Sequence, residues 1–205
     1  EPYFFRNCRY RKSSPFPMFL HARKMESLNP TGSYKDRGSA VLTSFLLSRG
    51  VAEAVEDSSG NAGASFAAYA ARAGINAHIY VPESTSGQKA DQISMYGADV
   101  VRIPGPRSEA ARAVLEAVER GNVYASHAYM PFGLTGIATI SYEIVKALGI
   151  SPGTIIAPVG HGGLLYGLML GFEALRAAQV IETVPYFIAV QPENCAPLTR
   201  AYKSN

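Results

Sequence analysis

The stretch "EAVEDSSGNAGASFAAYAARAGINAHIYVPE", residues 53–83, contains one complete strand–helix–strand unit. Its first residues predict a short strand followed by a polar loop. Its alanine-rich centre predicts a helix that ends at Gly74, because alanine is a strong helix former and glycine commonly follows a helix end. Residues 76–83 predict the second strand. Two short strands joined by a single helix favour a βαβ unit, in which parallel strands are buried on both faces.

Predicted strands and helices continue to alternate on both sides of this unit. Residues 33–49 predict a helix. Ser33 and Asp36, three positions later, have the spacing of a capping box at its start, and Gly50 ends it. Downstream, the pattern predicts helices over 86–98, 108–121, 133–149 and 163–179, and strands over 99–105, 122–126, 153–160 and 185–193. The predicted class is α/β with right-handed crossovers. Ligands bind at the carboxyl ends of strands in such folds, so the loops that follow strands are the places to look for chemistry.

The composition narrows the function classes. The chain has 205 residues, of which 47% are hydrophobic and 17% charged, and a formal charge of +3. Basic residues cluster only mildly, at 6–12 and 23–24, which argues against a nucleic-acid partner. The two cysteines lack C-x-x-C spacing and favour a reducing cytoplasm, and the four histidines do not approach each other at metal-ligand spacing. The N-terminal residues lack the apolar core of a signal peptide, and the most apolar run, 164–172, is too short to span a bilayer.

A first candidate loop is "LNPTGSYKDRGSA", residues 28–40, which places Lys35 in the first turn of a predicted helix. A cation at that end of a helix is disfavoured by the helix dipole, by about 0.3–1 kcal/mol. The dipole and any burial would lower the pKa of the lysine and favour the neutral nucleophile. The alternative is a solvated lysine paired with Asp36.

Two further loops follow predicted strands. In "SSGNAG", residues 58–63, free backbone N–H groups at a helix start favour an anion, although Ser58 or Ser59 could equally be a simple helix cap. In "PVGHGGLLYG", residues 158–167, the glycines allow the backbone to wrap around a phosphate. The alternative is a tight turn with close helix packing through Gly167 and Gly171. A dinucleotide fingerprint fails because position 165 is leucine, and no P-loop Gly-Lys-Ser/Thr follows.

The lysine, the asparagine loop and the glycine turn, in this order, resemble the fold-type II pyridoxal-phosphate enzymes of the tryptophan synthase β family. Among its branches the chain is most similar to the threonine synthases. The segments that carry the resemblance are "LNPTGSYKDRG", "SSGNAG", "IYVPESTSGQKADQISMYGADVV" and "PVGHGG", and the similarity runs from about Met18 to Leu198.

The resemblance implies roles for particular residues. Lys35 would bind pyridoxal 5′-phosphate covalently and act as the catalytic base, and Asn61 would hydrogen-bond the pyridoxal 3′-oxygen. The substrate carboxylate would be received by Ser58, Ser59 and Gly60. The cofactor phosphate would be held by the turn formed by Gly160, His161, Gly162, Gly163 and Leu164.

The resemblance also implies the wider organisation. The fold would comprise two three-layer αβα domains with mainly parallel sheets: a small domain over 41–130, and a large cofactor-binding domain from 1–40 and 131–205 that is incomplete at its C-terminal end. The active site would lie in the cleft between them, in a cytoplasmic homodimer.

The implied activity is that of a lyase that converts O-phosphohomoserine and water to threonine and phosphate. Threonine synthases commonly carry a charged or lysine-bearing motif near the segment 130–144, where this chain has Thr135 to Ala138 and no lysine before Lys146. Three alternatives therefore stay open: a threonine or serine dehydratase, a cysteine synthase-like β-replacement enzyme, and a non-catalytic or truncated relative.

Overall fold

The computed structural model describes residues 8–9, 22–85 and 87–204. The basic cluster at 6–12 falls outside these residues except for the short strand at 8–9. Of the predicted domain segment 1–40, residues 1–7 and 10–21 also fall outside them. The strands are β1 (Cys8–Arg9), β2 (Arg23–Lys24), β3 (Glu53–Glu56), β4 (Asn76–Pro82), β5 (Asp99–Ile103), β6 (Val123–Tyr124), β7 (Thr154–Pro158) and β8 (Tyr186–Val190). The α-helices are α1 (Lys35–Ser48), α2 (Asn61–Ala73), α3 (Gln88–Met95), α4 (Arg107–Glu119), α5 (Phe132–Leu148), α6 (Gly163–Ala177) and α7 (Pro197–Lys203).

The chain forms two compact units, one ending at Gly136 and the other beginning at Ile137. In the first unit, four strands form a parallel sheet in the order β5-β4-β3-β6. In the second unit, β7 and β8 pair in parallel, with Thr154 opposite Tyr186 and Pro158 opposite Val190. The sequence prediction of an α/β fold with mainly parallel sheets is confirmed.

The sheet of the first unit is covered on both faces. Ala54 of β3 and Ile79 of β4 pack on one face with Leu46 of α1 and Phe66 of α2. Val55 packs on the opposite face with Val114 and Ala117 of α4. Adjacent strand residues point to opposite faces, so Ala54 and Val55 of β3 are both buried, one on each side of the sheet.

Helix α1 approaches the start of α5 closely because both carry glycine at the contact. Gly38 and Gly133 face each other, and a Cβ on Gly133 would lie 3.4 Å from the Gly38 carbonyl oxygen. A Cβ on Gly136 would collide with the carbonyl of Arg37. This close packing holds the beginning of α1, the helix that starts at Lys35, against the start of α5.

In the second unit, α6 packs against the part of α5 that follows Ile137. The Ser141 hydroxyl donates to the Leu168 carbonyl at 2.8 Å, and a Cβ on Gly171 would lie 2.8 Å from Ser141 Oγ. The ring of Phe172 meets that of Phe187 of β8 edge-on, with 6.0 Å between the ring centres. Close packing through Gly171, one of the two sequence interpretations of this segment, is therefore observed.

Within the described residues, no helix has both the length and the apolar character needed to cross a membrane.

Candidate active site

Asp36 fixes the start of α1, where Lys35 is the first residue. Its carboxylate accepts hydrogen bonds from the Thr31 N–H at 2.7 Å, from the Thr31 hydroxyl, and from the Ser65 hydroxyl of α2 at 2.7 Å. Asp36 is almost fully buried. The predicted capping box is thus wrong: Ser33 Oγ accepts only from the Lys35 N–H at 3.3 Å, and Asp36 turns toward Thr31 and α2. The predicted alternative of a Lys35–Asp36 pair is also excluded.

Asp36→Ala is expected to lower the free energy of unfolding by about 3 kcal/mol, because hydrogen bonds to a buried charged group are lost and the Thr31 donors are left without an acceptor. Urea denaturation measures the change. Asp91→Ala, at an exposed position of α3, is the matched control and is expected to cost less than about 1 kcal/mol. Equal losses in the two variants would contradict the anchoring role of Asp36.

The amine of Lys35 is half-buried. It lies 5.2 Å from the centre of the Tyr34 ring. It has no hydrogen bond or ion pair with any of the described residues. Burial lowers the pKa of the Lys35 amine, and the negative charge of Glu56 partly opposes that change. A lysine amine with a lowered pKa and no fixed partner is the state that nucleophilic lysines require.

The loop of Ser58, Ser59, Gly60 and Asn61 joins β3 to α2 at the carboxyl end of the sheet. Gly60 is the N-cap of α2, and no side chain caps this helix, so the predicted serine caps are not formed. Ser58 is buried and its hydroxyl accepts from the Gly60 N–H at 3.3 Å, whereas Asn61 is exposed. The first helical hydrogen bond runs from the Ala64 N–H to the Gly60 carbonyl at 3.1 Å. The N–H groups of a helix's first turn remain available to an anion.

Two acidic residues that end β3 were missed by the sequence reasoning. Glu56 is fully buried and contacts His127 Nδ1 through Oε1 at 2.6 Å. Asp57 accepts a hydrogen bond from the Tyr124 hydroxyl at 2.6 Å. Two carboxylates at the end of a predicted strand, directly before the serine loop, were a signal that the sequence offered, because buried acids are rare unless they are paired.

The glycine turn lies in the second unit, between β7 and α6. Gly162 is the N-cap of α6 with a φ of 101°, a backbone conformation that favours glycine, and no side chain caps this helix either. A Cβ on Gly160 or Gly162 would meet no atom within 4 Å. His161 is exposed and Leu164 is half-buried. The space beside the turn is open and the helix start is uncapped, as phosphate binding requires.

The structure thus brings Lys35 and the loop 58–61 into the first unit, around the carboxyl end of β3, and places the turn 160–164 in the second. Parallel strands, a half-buried lysine amine at a helix start, and uncapped helix starts after two strands are typical of one class of protein: α/β proteins that bind an anionic cofactor or substrate and carry a nucleophilic lysine.

Comparison with known proteins gives the family. Residues 22–205 match the family described as pyridoxal-phosphate dependent enzyme, and the chain belongs to it. The predicted family and cofactor class are therefore confirmed.

Several known proteins are similar to this chain at moderate identity. The chain is 34% identical over 177 residues to threonine synthase of Mycobacterium leprae, covering 85% of this chain and 49% of that protein. It is 32% identical over 182 residues to threonine synthase of Methanocaldococcus jannaschii, covering 88% of this chain and 45% of that protein. The solved structure of the processed form of threonine deaminase isoform 2 from Solanum lycopersicum superposes with a TM-score of 0.79 at 27% identity, covering 89% of this chain and 49% of that one. The chain spans about half the length of the curated relatives it matches.

The residues present fit pyridoxal phosphate. Lys35 supplies an amine with a lowered pKa. The open turn at 160–164 and the uncapped start of α6 suit a phosphate group. One oxygen of the buried Glu56 carboxylate, Oε2, has no hydrogen-bond partner among the described residues. Buried polar atoms of this kind are uncommon and often mark a functional site.

Proposed function

We propose that the chain carries out the chemistry of a pyridoxal-phosphate-dependent carbon–oxygen lyase of the threonine synthase type. Its substrate would be O-phosphohomoserine, which reacts with water to give threonine and phosphate. The observation that carries the proposal is the half-buried Lys35 amine in a chain of this family. Similarity to two threonine synthases supports the choice of reaction.

The proposal gives each residue a task. Lys35 would hold the cofactor covalently, and its free amine would remove the Cα proton of the substrate as general base. Asn61 hydrogen-bonds the pyridoxal 3′-oxygen. Ser58, Ser59 and Gly60 bind the substrate carboxylate. When bound, the cofactor supplies an electron sink for the charge that develops at Cα.

The turn at 160–164 is proposed to hold the cofactor phosphate through backbone N–H groups. Gly160, His161, Gly162, Gly163 and Leu164 contribute, and glycine at position 162 permits the left-handed backbone that exposes those groups. A phosphate held at a helix start lies in the favourable field of the helix dipole.

The domain organisation is likewise proposed. The small domain comprises 41–130, and 1–40 with 131–205 belong to the large domain. A homodimer in the cytoplasm follows from the resemblance, and sedimentation equilibrium tests the oligomeric state.

A second function, dehydration of threonine or serine, is supported by the likeness to the threonine deaminase structure. The absence of a lysine from 132–145 keeps this function open beside the threonine synthase type. A cysteine synthase-like β-replacement and a non-catalytic relative are the remaining alternatives.

Phosphate and ammonia release separate these functions. With O-phosphohomoserine, we expect the protein to release phosphate in step with threonine, because elimination and hydration both occur in one site. Ammonia release from threonine or serine, measured in parallel, is expected to be at least tenfold slower. Faster ammonia release would favour the dehydratase, and neither product would favour the non-catalytic relative.

A further inference from the structure

The proposed roles make no use of the buried Glu56 and its partner His127. Glu56 is fully buried, and its Oε1 lies 2.6 Å from His127 Nδ1, which holds one side of the carboxylate. Oε2 is equally buried and has no hydrogen-bond partner among the described residues. An unpaired buried carboxylate oxygen is costly, so a donor is expected to reach it at some stage of the protein's cycle.

The strand geometry indicates where that donor comes from. Residues two apart on a strand share a face, so Glu56 lies on the same face of β3 as Ala54. Ala54 packs with Leu42 and Leu46 of α1, the helix that begins at Lys35. Asp57 points to the opposite face, where the Tyr124 hydroxyl donates to it. Glu56 is thus the acid that faces the helix carrying the amine.

We propose that Glu56, held in place by His127, is a positioning residue that stabilises the protonated form of the Lys35 amine. The inference rests on the proposed role of Lys35 as the cofactor-binding lysine and general base. A base that takes the Cα proton must hold it, and a half-buried amine holds a proton poorly without a counter-charge. The Glu56 carboxylate supplies that charge.

The charges around the pair support this assignment. Burial raises the pKa of the Glu56 carboxyl, while the His127 hydrogen bond and the charges of His127 and Lys35 oppose the rise. Asp57 acts in the same direction as burial. Arg107, at 3.6 Å from Asp57, offsets part of that like charge. The charge of Glu56 acts on the Lys35 amine. It raises the pKa of that amine, against the larger effect of burial, which lowers it.

Glu56→Gln removes the charge and keeps the shape, and it tests the proposal by two pH titrations of the full chain. The first follows the visible band of the cofactor-loaded protein. The second follows the rate at which trinitrobenzenesulfonate modifies Lys35 before loading, read by mass spectrometry of the peptide. We expect both midpoints to fall by about 1 pH unit, the order of effect of one nearby opposite charge. Glu53→Gln, at the exposed start of the same strand, is the matched control and should leave both midpoints unchanged. Midpoints in Glu56→Gln that coincide with the wild type would overturn the proposal.

Two His127 variants decide the matter if Glu56→Gln does not fold. His127→Leu removes the donor to Oε1, so the carboxyl becomes neutral and the Lys35 midpoints should fall in the same direction. His127→Gln keeps a donor and should restore them, whereas a purely structural role would not separate the two variants by pH midpoint. Equal midpoints in both variants would overturn the proposal. A protein that takes up no cofactor would defeat the proposed function instead, and the modification titration would still report on Glu56.

Discussion

Replacing Lys35 by alanine is expected to abolish covalent cofactor attachment. After loading with pyridoxal phosphate and treatment with borohydride, the wild-type chain should retain the cofactor on the peptide that contains residue 35, and the variant should retain none. Turnover should fall at least about a thousandfold, because the variant would lose both the proposed covalent link and the proposed general base, which alone contributes about 10²–10⁴-fold. The visible band of the bound cofactor and its shift on adding an amino acid should be lost or altered in the variant.

The surroundings of the lysines explain why Lys35 is singled out. Lys24 is paired with Glu26 at 2.9 Å, and Lys203 lies exposed on α7. The Lys35 amine is half-buried beside the Tyr34 ring, and burial lowers its pKa. Lys203→Ala is the matched control and should load cofactor as the wild type does. Recovery of the cofactor on a different lysine in the wild-type chain would contradict the assignment.

Local sequence patterns predicted the elements well because each element carries its own signal. Helix α2 was predicted over 62–74 from its alanine content and Gly74, and it spans Asn61–Ala73, with Gly74 at a φ of 71°. Strand β4 was predicted over 76–83 and spans Asn76–Pro82. Propensity and glycine stops act within a few residues, so they can be read without the tertiary structure. Helix α7, which begins at Pro197, was not predicted.

The start of α1 shows where local patterns fail. Ser33 and Asp36 have the spacing of a capping box, but the Asp36 carboxylate bonds to Thr31 and to Ser65, which is 29 residues away. The hydrogen bonds to these partners replace the local cap, and no rule based on spacing contains them. The same limit applies to Glu56, whose partner His127 is 71 residues away. The sequence could indicate an unusual buried acid, but only the fold identifies its partner.

Some of the glycine positions could be interpreted from local sequence and others could not. The turn at 160–164 was predicted from its strand–glycine–helix order, and the structure gives Gly162 the left-handed backbone that such a turn needs. The contact of Gly136 with the Arg37 carbonyl joins α5 to α1, which are far apart in sequence, and no local pattern marks it. Gly63, the third residue of α2, is a further example. It occupies a helix position where alanine would normally be preferred, and no local pattern gives the reason for a glycine there.

Gly63→Ala is expected to lower the free energy of unfolding by about 3 kcal/mol or more, at the upper end of overpacking costs. A Cβ at this position would overlap the Ser58 carbonyl oxygen, and it would lie 3.0 Å from the Ser58 carbonyl carbon and 3.2 Å from Ile79 Cγ2. Helix propensity alone would favour alanine by about 1 kcal/mol, so the sign of the measured change decides between the two effects.

The clash falls on backbone that cannot move independently of the site. Ser58 is buried, and the loop it begins is the one proposed to bind the substrate carboxylate. Gly63→Ala must either separate α2 from β3 or displace this loop, so the variant should also show a raised KM for the amino-acid substrate at a temperature where it remains folded. Gly153→Ala is the matched control, because its Cβ would meet no atom within 4 Å. Urea denaturation of both variants measures stability, and substrate titration then measures KM. A Gly63→Ala protein that is as stable as the control and has an unchanged KM would contradict the prediction. It would mean that the helix shifts freely and that the contact with Ser58 does not hold the loop in place.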